Sequence, residues 1–317
     1  MSSSVSITVP ATTANIGPGF DCLGAALTLY NRFKFSPILG TLNASSEAVR
    51  IQVTGPEADR VKTDPSNLVY QAFSYYYKYL GQPSPSVDIQ IQMGIPLARG
   101  LGSSATAIIA GLVGANWLAG SPLEQTQVLQ LAIALEGHPD NVTPALLGGC
   151  CLVASKQVGT ADAGAWEICD IPWAQNIVPV VAIPNFELST AAARQVLPLS
   201  CTHKDAIFNV AHLGLLLRGL ETGRGDWLRT ALQDRLHQPY RQALIAGYEV
   251  VQSAAIEAGA YGLVISGAGP TLLGLASPDC ATGVATAIAE AWAEQGVSAQ
   301  VQPLQIDSQG AVLAEQS

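Results

Sequence analysis

A run rich in glycine and serine carries the clearest chemical signal in this sequence. In chain order it comprises Pro96, Leu97, Ala98, Arg99, Gly100, Leu101, Gly102, Ser103, Ser104, Ala105 and Thr106. Glycine lets the backbone approach a ligand closely, and the free N–H groups at a helix N-terminus attract anions. If the run joins a strand to a helix, it predicts a phosphate-binding loop. A glycine-serine turn that only caps a helix is the alternative.

The flanking segments predict that strand and that helix. Before the run, Val87, Ile89, Ile91 and Met93 alternate with polar residues, as in a half-buried strand. After it, residues 106–118 are rich in alanine, isoleucine, leucine and valine and contain no proline, as expected of a buried helix. The run therefore has the setting that a phosphate loop requires.

Two familiar nucleotide motifs fit this run poorly. It lacks the Gly-Lys-Ser/Thr ending of a P-loop. Gly100, Gly102 and Ala105 satisfy a loose dinucleotide fingerprint, which also requires an acidic residue about 20 positions later. The first acidic residue is Glu124, in a Ser-Pro-Leu-Glu sequence that predicts a helix capped by Ser121 with Glu124 in a capping box. A Rossmann dehydrogenase is therefore the weaker interpretation of the loop.

Polar residues around Glu136 indicate a metal and ligand site. Glu136 ends a predicted helix, where the helix dipole disfavours a carboxylate by about 0.3–1 kcal/mol. A cation beside Glu136 would reverse this penalty, and Mg²⁺ held by one or two carboxylates and phosphate oxygens suits a nucleotide site. His138, Asp140 and Asn141 then fill a short predicted loop with hydrogen-bonding groups. A solvated polar loop is the alternative.

Two other regions carry groups suited to a small polar ligand. Asn15 and Asp21 lie in a loop dense in small residues and can bind a hydroxyl or an ammonium group, although a turn with local Asx hydrogen bonds is the simpler alternative. Arg194 and Arg235 lie near predicted loop–helix junctions, where paired arginines can clamp a carboxylate. Each arginine taken singly is typical of a surface ion pair.

The composition predicts a large globular protein and excludes several classes. The 317 residues are 49% hydrophobic and 12% charged, which is enough for a substantial core. The net charge of −9 has the wrong sign for a nucleic-acid surface, so we expect no nucleic-acid partner. Six scattered cysteines without metal-ligand spacing, and the lack of a signal or membrane-spanning segment, predict a soluble cytoplasmic protein with no membrane partner.

The predicted elements indicate an α+β fold with two domains. Strands and segregated helices occur in each half, and turn residues accumulate between 155 and 175. We therefore expect a first domain over residues 1–165 and a second over residues 166–317. We also expect a helix that opens at Asp64, a strand over 146–153 and fraying of the last dozen residues.

Three blocks of the sequence together resemble the GHMP family of small-molecule kinases. They are Pro10–Asp21 with its Asn-Ile-Gly, Pro96–Ala105 with its Gly-Leu-Gly-Ser-Ser-Ala, and Ser266–Thr271 with its Gly-Ala-Gly-Pro. Blocks similar to the homoserine kinase branch of the family follow at His138, Asp140 and Asn141, at Thr190 and Arg194, and at His237–Arg241. The resemblance extends from about residue 5 to residue 300.

This resemblance implies a fold, a reaction and cofactors. The fold would be an N-terminal domain similar to domain 2 of ribosomal protein S5, followed by a ferredoxin-like C-terminal domain. The γ-phosphoryl group of ATP would pass to the side-chain hydroxyl of L-homoserine, which gives O-phospho-L-homoserine for threonine biosynthesis. Mg²⁺ would accompany ATP, and the protein would form a homodimer, as is common in the family. The alternatives are another GHMP kinase, acting on mevalonate or a sugar, and a nucleotide-binding homologue without catalysis.

The resemblance also implies roles for individual residues. Pro96–Thr106 would surround the triphosphate, with Asn67 near the base and with Ser103, Ser104 and Glu136 near Mg²⁺. The amino acid would be held by Asn15, Asp21, His138, Asp140 and Thr190, and its carboxylate by Arg194 and Arg235. Asn141 would position the acceptor hydroxyl, or Asp140 would deprotonate it as a base.

The sequence departs from the family pattern at two places. Only Gly137 separates Glu136 from His138, where a longer insert is common. A shorter connection could draw Glu136 away from the metal. Arg99 replaces a small residue, and its guanidinium would either reach a phosphate or face solvent.

Overall fold

The computed structural model describes residues 4–38, 49–156 and 166–316. Its strands are β1 (Ser4–Asn15), β2 (Gly19–Pro37), β3 (Val49–Thr54), β4 (Val87–Gln92), β5 (Cys150–Ser155), β6 (Trp166–Asp170), β7 (Val178–Pro184), β8 (Gly262–Ile265), β9 (Leu272–Ala276), β10 (Ala299–Pro303) and β11 (Val312–Gln316). Its helices are α1 (Leu68–Tyr79), α2 (Ser103–Leu118), α3 (Gln125–Glu136), α4 (Pro139–Leu147), α5 (Thr190–Gln195), α6 (His203–Thr222), α7 (Gly225–Ala231), α8 (Gln238–Arg241), α9 (Tyr248–Glu257) and α10 (Pro278–Glu294). Within these ranges, every helix is too short or too polar to span a lipid bilayer.

Two sheets organise these elements and confirm the α+β class. The described residues form a first sheet of seven strands and a second sheet of four. The first sheet runs β11-β1-β2-β4-β3, with β5 paired to both β2 and β6, and within it β3 and β4 are parallel. The second sheet runs β10-β7-β9-β8 with antiparallel neighbours.

The first sheet buries its alternating apolar residues against helices α1 to α4. Val5 and Ile7 of β1 are fully buried, and they lie opposite Phe35 and Phe33 of β2. Helix α2 lies within this core and is buried over most of its surface, which explains its uniformly apolar composition. The second sheet packs in the same way against α9 and α10. Burial of α2 fixes the position of its N-terminus, where the glycine-serine run ends.

Two helices begin at other residues than the sequence predicts. Glu124 is itself the N-cap of α3, in a reciprocal capping box with Gln127, so the prediction that Ser121 caps this helix is wrong. Helix α1 follows the N-cap Asn67, whose side chain accepts the N–H of the second helical residue. The expected start at Asp64 is therefore wrong too, because Asp64 stabilises a local turn instead.

Residues 139–147 form α4, where we expected a loop followed by the start of a strand. His138 is the N-cap, and Pro139 takes the first helical position, where the missing N–H of proline costs no hydrogen bond. Strand β5 therefore begins only at Cys150. Asp140 and Asn141 consequently lie in the first turn of a helix, which holds them more rigidly than a loop.

Sheet membership does not divide the chain at residue 165. Strand β6 follows that boundary but pairs with β5 of the first sheet, and β11 pairs with β1 so that Ser4 lies opposite Gln316. Both segments of the expected second domain thus complete the first sheet, and the expected fraying of the last residues is wrong for 312–316. Pairing with β11 covers the edge of β1, which would otherwise be open.

Candidate active site

A cavity of about 490 Å³ brings most of the predicted site residues together. Its wall includes Asn15, Asp21, Asn67, Leu97, Ala98, Arg99, Gly100, Gly102, Ser103, Ser104, Thr106, Glu136, His138, Asp140, Asn141, Thr190 and Arg194. Pro96, Leu101, Ala105 and Arg235 are not among the described residues of this wall. Leu101 and Ala105 are buried in the core behind the glycine-serine run.

The glycine-serine run forms the predicted connection between β4 and α2. Gly100 and Gly102 adopt left-handed φ angles of +75° and +66°. A Cβ on Gly100 would lie 2.3 Å from the carbonyl oxygen of Ser266, and one on Gly102 would lie 1.9 Å from Thr12 Oγ1. Neither position can accommodate a side chain, because the run packs directly against Ser266 and Thr12 at these two glycines. The first N–H groups of α2 follow directly and have no partner within the helix, which is the arrangement that binds phosphate.

Arg99 is buried, and its guanidinium contacts carbonyl and carboxylate oxygens of the protein. It donates to the carbonyl oxygens of Leu97 at 2.9 Å and Pro184 at 3.1 Å. Its nitrogens lie 3.1 Å from the Glu187 carboxylate and 3.5 Å from that of Glu57. The alternative that Arg99 faces solvent is therefore wrong, and its guanidinium is bonded to protein groups at the wall of the cavity. Its guanidinium instead ties the run to the segment before α1 and to the end of β7.

Ser104 and Glu136 meet at the junction of two helices. Ser104 lies in the first turn of α2, Glu136 ends α3, and the Ser104 hydroxyl donates to Glu136 Oε1 at 2.7 Å. Gly137 terminates α3 with a φ of +90°, so the short connection turns away while Glu136 stays directed at α2. Hydroxyl and carboxylate oxygens are ligands that suit Mg²⁺. Since the described residues contain no group of three His, Cys, Asp or Glu side chains placed to hold a metal ion, phosphate oxygens and water would have to complete its coordination.

The first turn of α4 carries a hydrogen-bonded set of polar side chains. Asp140 is buried, and its Oδ1 lies 2.8 Å from His138 Nδ1 and 3.2 Å from Asn141 Nδ2. Asn141 Oδ1 accepts the hydroxyl of Thr12 at 2.7 Å. The hydrogen bond to Asp140 raises the pKa of His138, and this effect exceeds the opposing effect of burial. The set presents a carboxylate and an amide to the cavity.

Two arginines lie on the other side of the cavity. They are Arg194 and Arg241, whereas the sequence predicts Arg194 and Arg235. Arg194 forms a bidentate pair with Asp21, at 2.9 and 3.0 Å. Arg241 is buried and lines the cavity. Arg235 instead stacks over the ring of Phe208 at 4.0 Å and lies 3.5 Å from Asp205, outside the cavity. The expectation that Arg235 belongs to the site is thus corrected, because Arg235 precedes α8 and Arg241 lies within it.

The spacing of four residues between His237 and Arg241 is a sequence signal that could have placed Arg241 in the site. Residues four apart lie on the same face of a helix, and both side chains are buried. His237 Nδ1 accepts from Arg241 at 3.3 Å, so its Nε2 carries the proton and donates to the carbonyl oxygen of Gly17 at 2.8 Å. Its ring also stacks on Phe20, with 5.0 Å between centroids. Burial lowers the pKa of His237, which keeps this imidazole neutral.

The two histidines are expected to titrate on opposite sides of the usual pKa of about 6.5. The hydrogen bond to Asp140 stabilises charged His138, so this contribution to folding is complete below the unfolded pKa and is lost as pH rises through the higher folded pKa. For His237 the sign is reversed, and stability is lost as pH falls. NMR titration of the imidazole protons checks both shifts. Asp140→Asn should lower the pKa of His138 and leave that of His237 unchanged; equal shifts in both would contradict the assignment.

Three other predicted residues, Asn15, Asn67 and Thr190, line the cavity. The side chains of the two asparagines are already hydrogen-bonded. Asn15 Oδ1 accepts the N–H of Asp21 at 2.9 Å, and its Nδ2 donates to the carbonyl oxygen of Gly267 at 2.8 Å. Asn67 caps α1 and donates to the carbonyl oxygen of Lys62 at 2.6 Å. Thr190 is the first residue of α5. Asn15 and Asn67 therefore shape the wall through their backbone partners.

Comparison with known proteins identifies the family. The family model for the GHMP kinases N terminal domain matches residues 67–149, and that for the GHMP kinases C terminal domain matches residues 216–294. The chain is 62% identical to the homoserine kinase of Trichormus variabilis over 309 residues, covering 98% of each chain. It is 59% identical to the homoserine kinase of Thermosynechococcus vestitus, again over 98% of each chain.

A solved structure agrees with these sequence matches. The crystal structure of homoserine kinase from Cytophaga hutchinsonii superimposes with a TM-score of 0.86 at 28% identity, covering 99% of this chain and 98% of that one. The sequence matches to these relatives cover both sheets of the fold. The chain belongs to the homoserine kinase family, a branch of the GHMP kinases.

Proposed function

We propose that this protein transfers the γ-phosphoryl group of ATP to the side-chain hydroxyl of L-homoserine. The product, O-phospho-L-homoserine, would enter threonine biosynthesis. The observation that supports this most directly is the composition of the cavity. A phosphate loop and the Ser104–Glu136 pair lie at one side, and two arginines and two aspartates lie at the other. The homoserine kinase relatives, 62% identical over nearly the whole chain, support the same reaction.

The nucleotide would occupy the side of the cavity nearest α1 and α2. Backbone N–H groups of Gly100 to Ala105 would bind the triphosphate, because the first N–H groups of α2 have no partner within the helix. The base would lie near Asn67, against the apolar wall formed by Phe33, Val61, Leu68, Val69 and Met93. Such a combination of apolar wall and few polar groups is typical of nucleotide and cofactor pockets.

Mg²⁺ would be held by Ser104 and Glu136, with Ser103 next to them on the wall. Their oxygens already lie within hydrogen-bonding distance of one another, as two ligands of a small cation do. When bound, Mg²⁺ neutralises charge on the phosphate oxygens during transfer. Glu136 would also lose the penalty of a carboxylate at a helix C-terminus.

Homoserine would bind at the side formed by α4, α5 and α8. Its carboxylate would meet Arg194 and Arg241, and its ammonium group would meet Asp21 and Asp140, so the substrate would replace the pair that Arg194 and Asp21 form with each other. Two cations and two anions complement a zwitterion, whereas a sugar or mevalonate offers no ammonium group. Arg241 takes the role that the family resemblance had given to Arg235. His138 and Thr190 would line the remaining wall.

Phosphoryl transfer would depend on position and on charge neutralisation. The hydroxyl oxygen of homoserine forms a bond to the γ-phosphorus as the bond to the β–γ bridging oxygen breaks, ADP leaves, and the hydroxyl proton passes to water. The transition state is loose, so a weakly activated hydroxyl suffices if it is aligned. We assign alignment to Asn141, because Oδ1 of Asp140 is already engaged by His138 and Asn141.

The test is release of ADP in a coupled assay with homoserine, mevalonate and galactose as separate acceptors. Homoserine-dependent release with the other two inactive is the expected result. Turnover with mevalonate or galactose alone would assign another GHMP kinase activity. ATP binding without turnover of any acceptor would favour a non-catalytic homologue, and an NAD(P)-dependent absorbance change would favour the dehydrogenase alternative.

Arg99→Met is expected to raise the KM for ATP about 10- to 100-fold, because removal of a charged hydrogen-bonding group costs about 1.5–3 kcal/mol at such a site. The variant leaves Arg60 as the remaining cation beside Glu57 and Glu187, and the run loses its own link to both carboxylates. The KM for homoserine should change much less. Arg50→Met, which removes an exposed pair with Asp88, is the matched control. Equal rises in both KM values would show that Arg99 supports the fold in general.

Location and assembly are further parts of the proposal. All six cysteines are free, Cys150 and Cys151 among them being buried, which suits a reducing cytoplasm. A homodimer would require an exposed apolar surface, and Ile207 and Val210 on one face of α6 are 68% and 72% exposed. Light scattering at micromolar concentration distinguishes a dimer from a monomer.

A further inference from the structure

Thr12, on β1, contacts the acceptor side of the cavity and has no role in the reaction as proposed above. Its side chain is buried, and its hydroxyl lies 2.7 Å from Asn141 Oδ1. The Thr12 hydroxyl oxygen also lies against the glycine-serine run, since a Cβ on Gly102 would be only 1.9 Å from it. Thr12 therefore touches both the loop that binds the donor and the amide assigned to the acceptor.

The hydrogen bonds around Asn141 determine which way its amide faces. Asn141 Nδ2 lies 3.2 Å from Asp140 Oδ1, and an ionised carboxylate can only accept. The NH₂ group must therefore face Asp140, and the amide oxygen must face Thr12. The Thr12 hydroxyl is then the donor, and one N–H of Asn141 Nδ2 remains for a ligand.

We propose, on the basis of the function proposed above, that Thr12 is a positioning residue for the acceptor hydroxyl. Its hydroxyl fixes the amide of Asn141 so that the remaining N–H, and not the amide oxygen, is available to the homoserine oxygen. A rotated amide would place its oxygen toward the incoming phosphoryl group, whose oxygens are negatively charged. Contact with Gly102 sets the distance between this amide and the phosphate loop.

Thr12→Val tests this role because valine keeps the β-branched shape and removes only the donor. We expect kcat to fall about 10- to 100-fold, the loss for an unpaired buried polar group, with both KM values within about threefold of the original. Thr12→Ser, which restores the hydroxyl, should recover most of the activity. Thr8→Val on the same strand, outside the cavity wall, is the control and should be unchanged. If the valine variant fails to fold, Thr12→Ala provides the same comparison.

A double-mutant cycle separates positioning from general damage to the strand. In an Asn141→Ala background, Thr12→Val should lower kcat by less than about twofold, because the group through which it acts is gone. An unchanged kcat in Thr12→Val, or losses that multiply in the double variant, would overturn the proposal. Lack of homoserine-dependent turnover in the original protein would overturn the proposed function itself, which is a distinct result.

Discussion

Replacing Gly102 with alanine is expected to lower kcat/KM for ATP about 100-fold or more, since a displacement of about 1 Å at a reacting centre has effects of this size. Alanine at a φ of +66° is strained, and its Cβ would lie 1.9 Å from Thr12 Oγ1. The loop must therefore move, or Thr12 must. Both changes separate the donor phosphate from Asn141.

The control for this variant is Gly283→Ala. Gly283 lies in α10, and a Cβ there would meet nothing within 4 Å. Because its φ is not left-handed, alanine should stabilise the helix slightly and leave turnover unchanged. Far-UV circular dichroism and the Tm of each variant establish that it is folded. A folded Gly102→Ala protein with ordinary kcat/KM would show that turnover does not depend on the close contact between this loop and Thr12.

Arg241→Met is expected to raise the KM for homoserine about 10- to 100-fold, as follows from loss of a charged hydrogen bond to a carboxylate. The KM for ATP should change much less. Arg241 also donates to the carbonyl oxygens of Ala193 and Gly267, so Arg241→Lys is the second variant, which keeps the charge but not the planar fork. The lysine variant should show a smaller rise in the same KM.

Arg235→Met is the matched control for the clamp. Arg235 is 40% exposed at its side chain and pairs with Asp205, which is typical of an arginine that contributes little to binding. Its removal should change the KM for homoserine by less than about threefold. Initial-rate measurements of ADP release at saturating ATP give these values. A large effect at Arg235 with none at Arg241 would show that the homoserine carboxylate binds Arg235, which contradicts the proposed site.

The detailed conformation of the glycine-serine run depends on contacts with Thr12, Pro184 and Ser266, but its place between a strand and a helix was predictable because its causes are local. Alternating residues before it and an apolar helix after it indicate this connection without the rest of the chain. The same is true of Glu136, which the helix period places in a last turn. Direct contact of Glu136 with Ser104 was not predictable, since it depends on how α2 and α3 pack.

Errors in the prediction occur where two local signals compete or where tertiary packing decides between local options. Ser121 followed by proline has the pattern of a helix start, yet Glu124 and Gln127 form the cap. Arg235 and Arg241 are equally basic in the sequence, and only the position of α8 directs one into the cavity and the other onto Phe208. The contact of Thr12 with Asn141 is invisible in the sequence, because the two residues are 129 positions apart.

The pairing of β11 with β1 has a consequence for synthesis of the protein on the ribosome. Ser4 lies opposite Gln316, so this edge of the first sheet closes only after residues 312–316 have been made. Until then the backbone of β1, which carries Thr12 and leads to Asn15, has an unpaired edge that other strands can recognise. We therefore expect nascent chains that stop before residue 312 to depend on chaperones more than chains that contain β11.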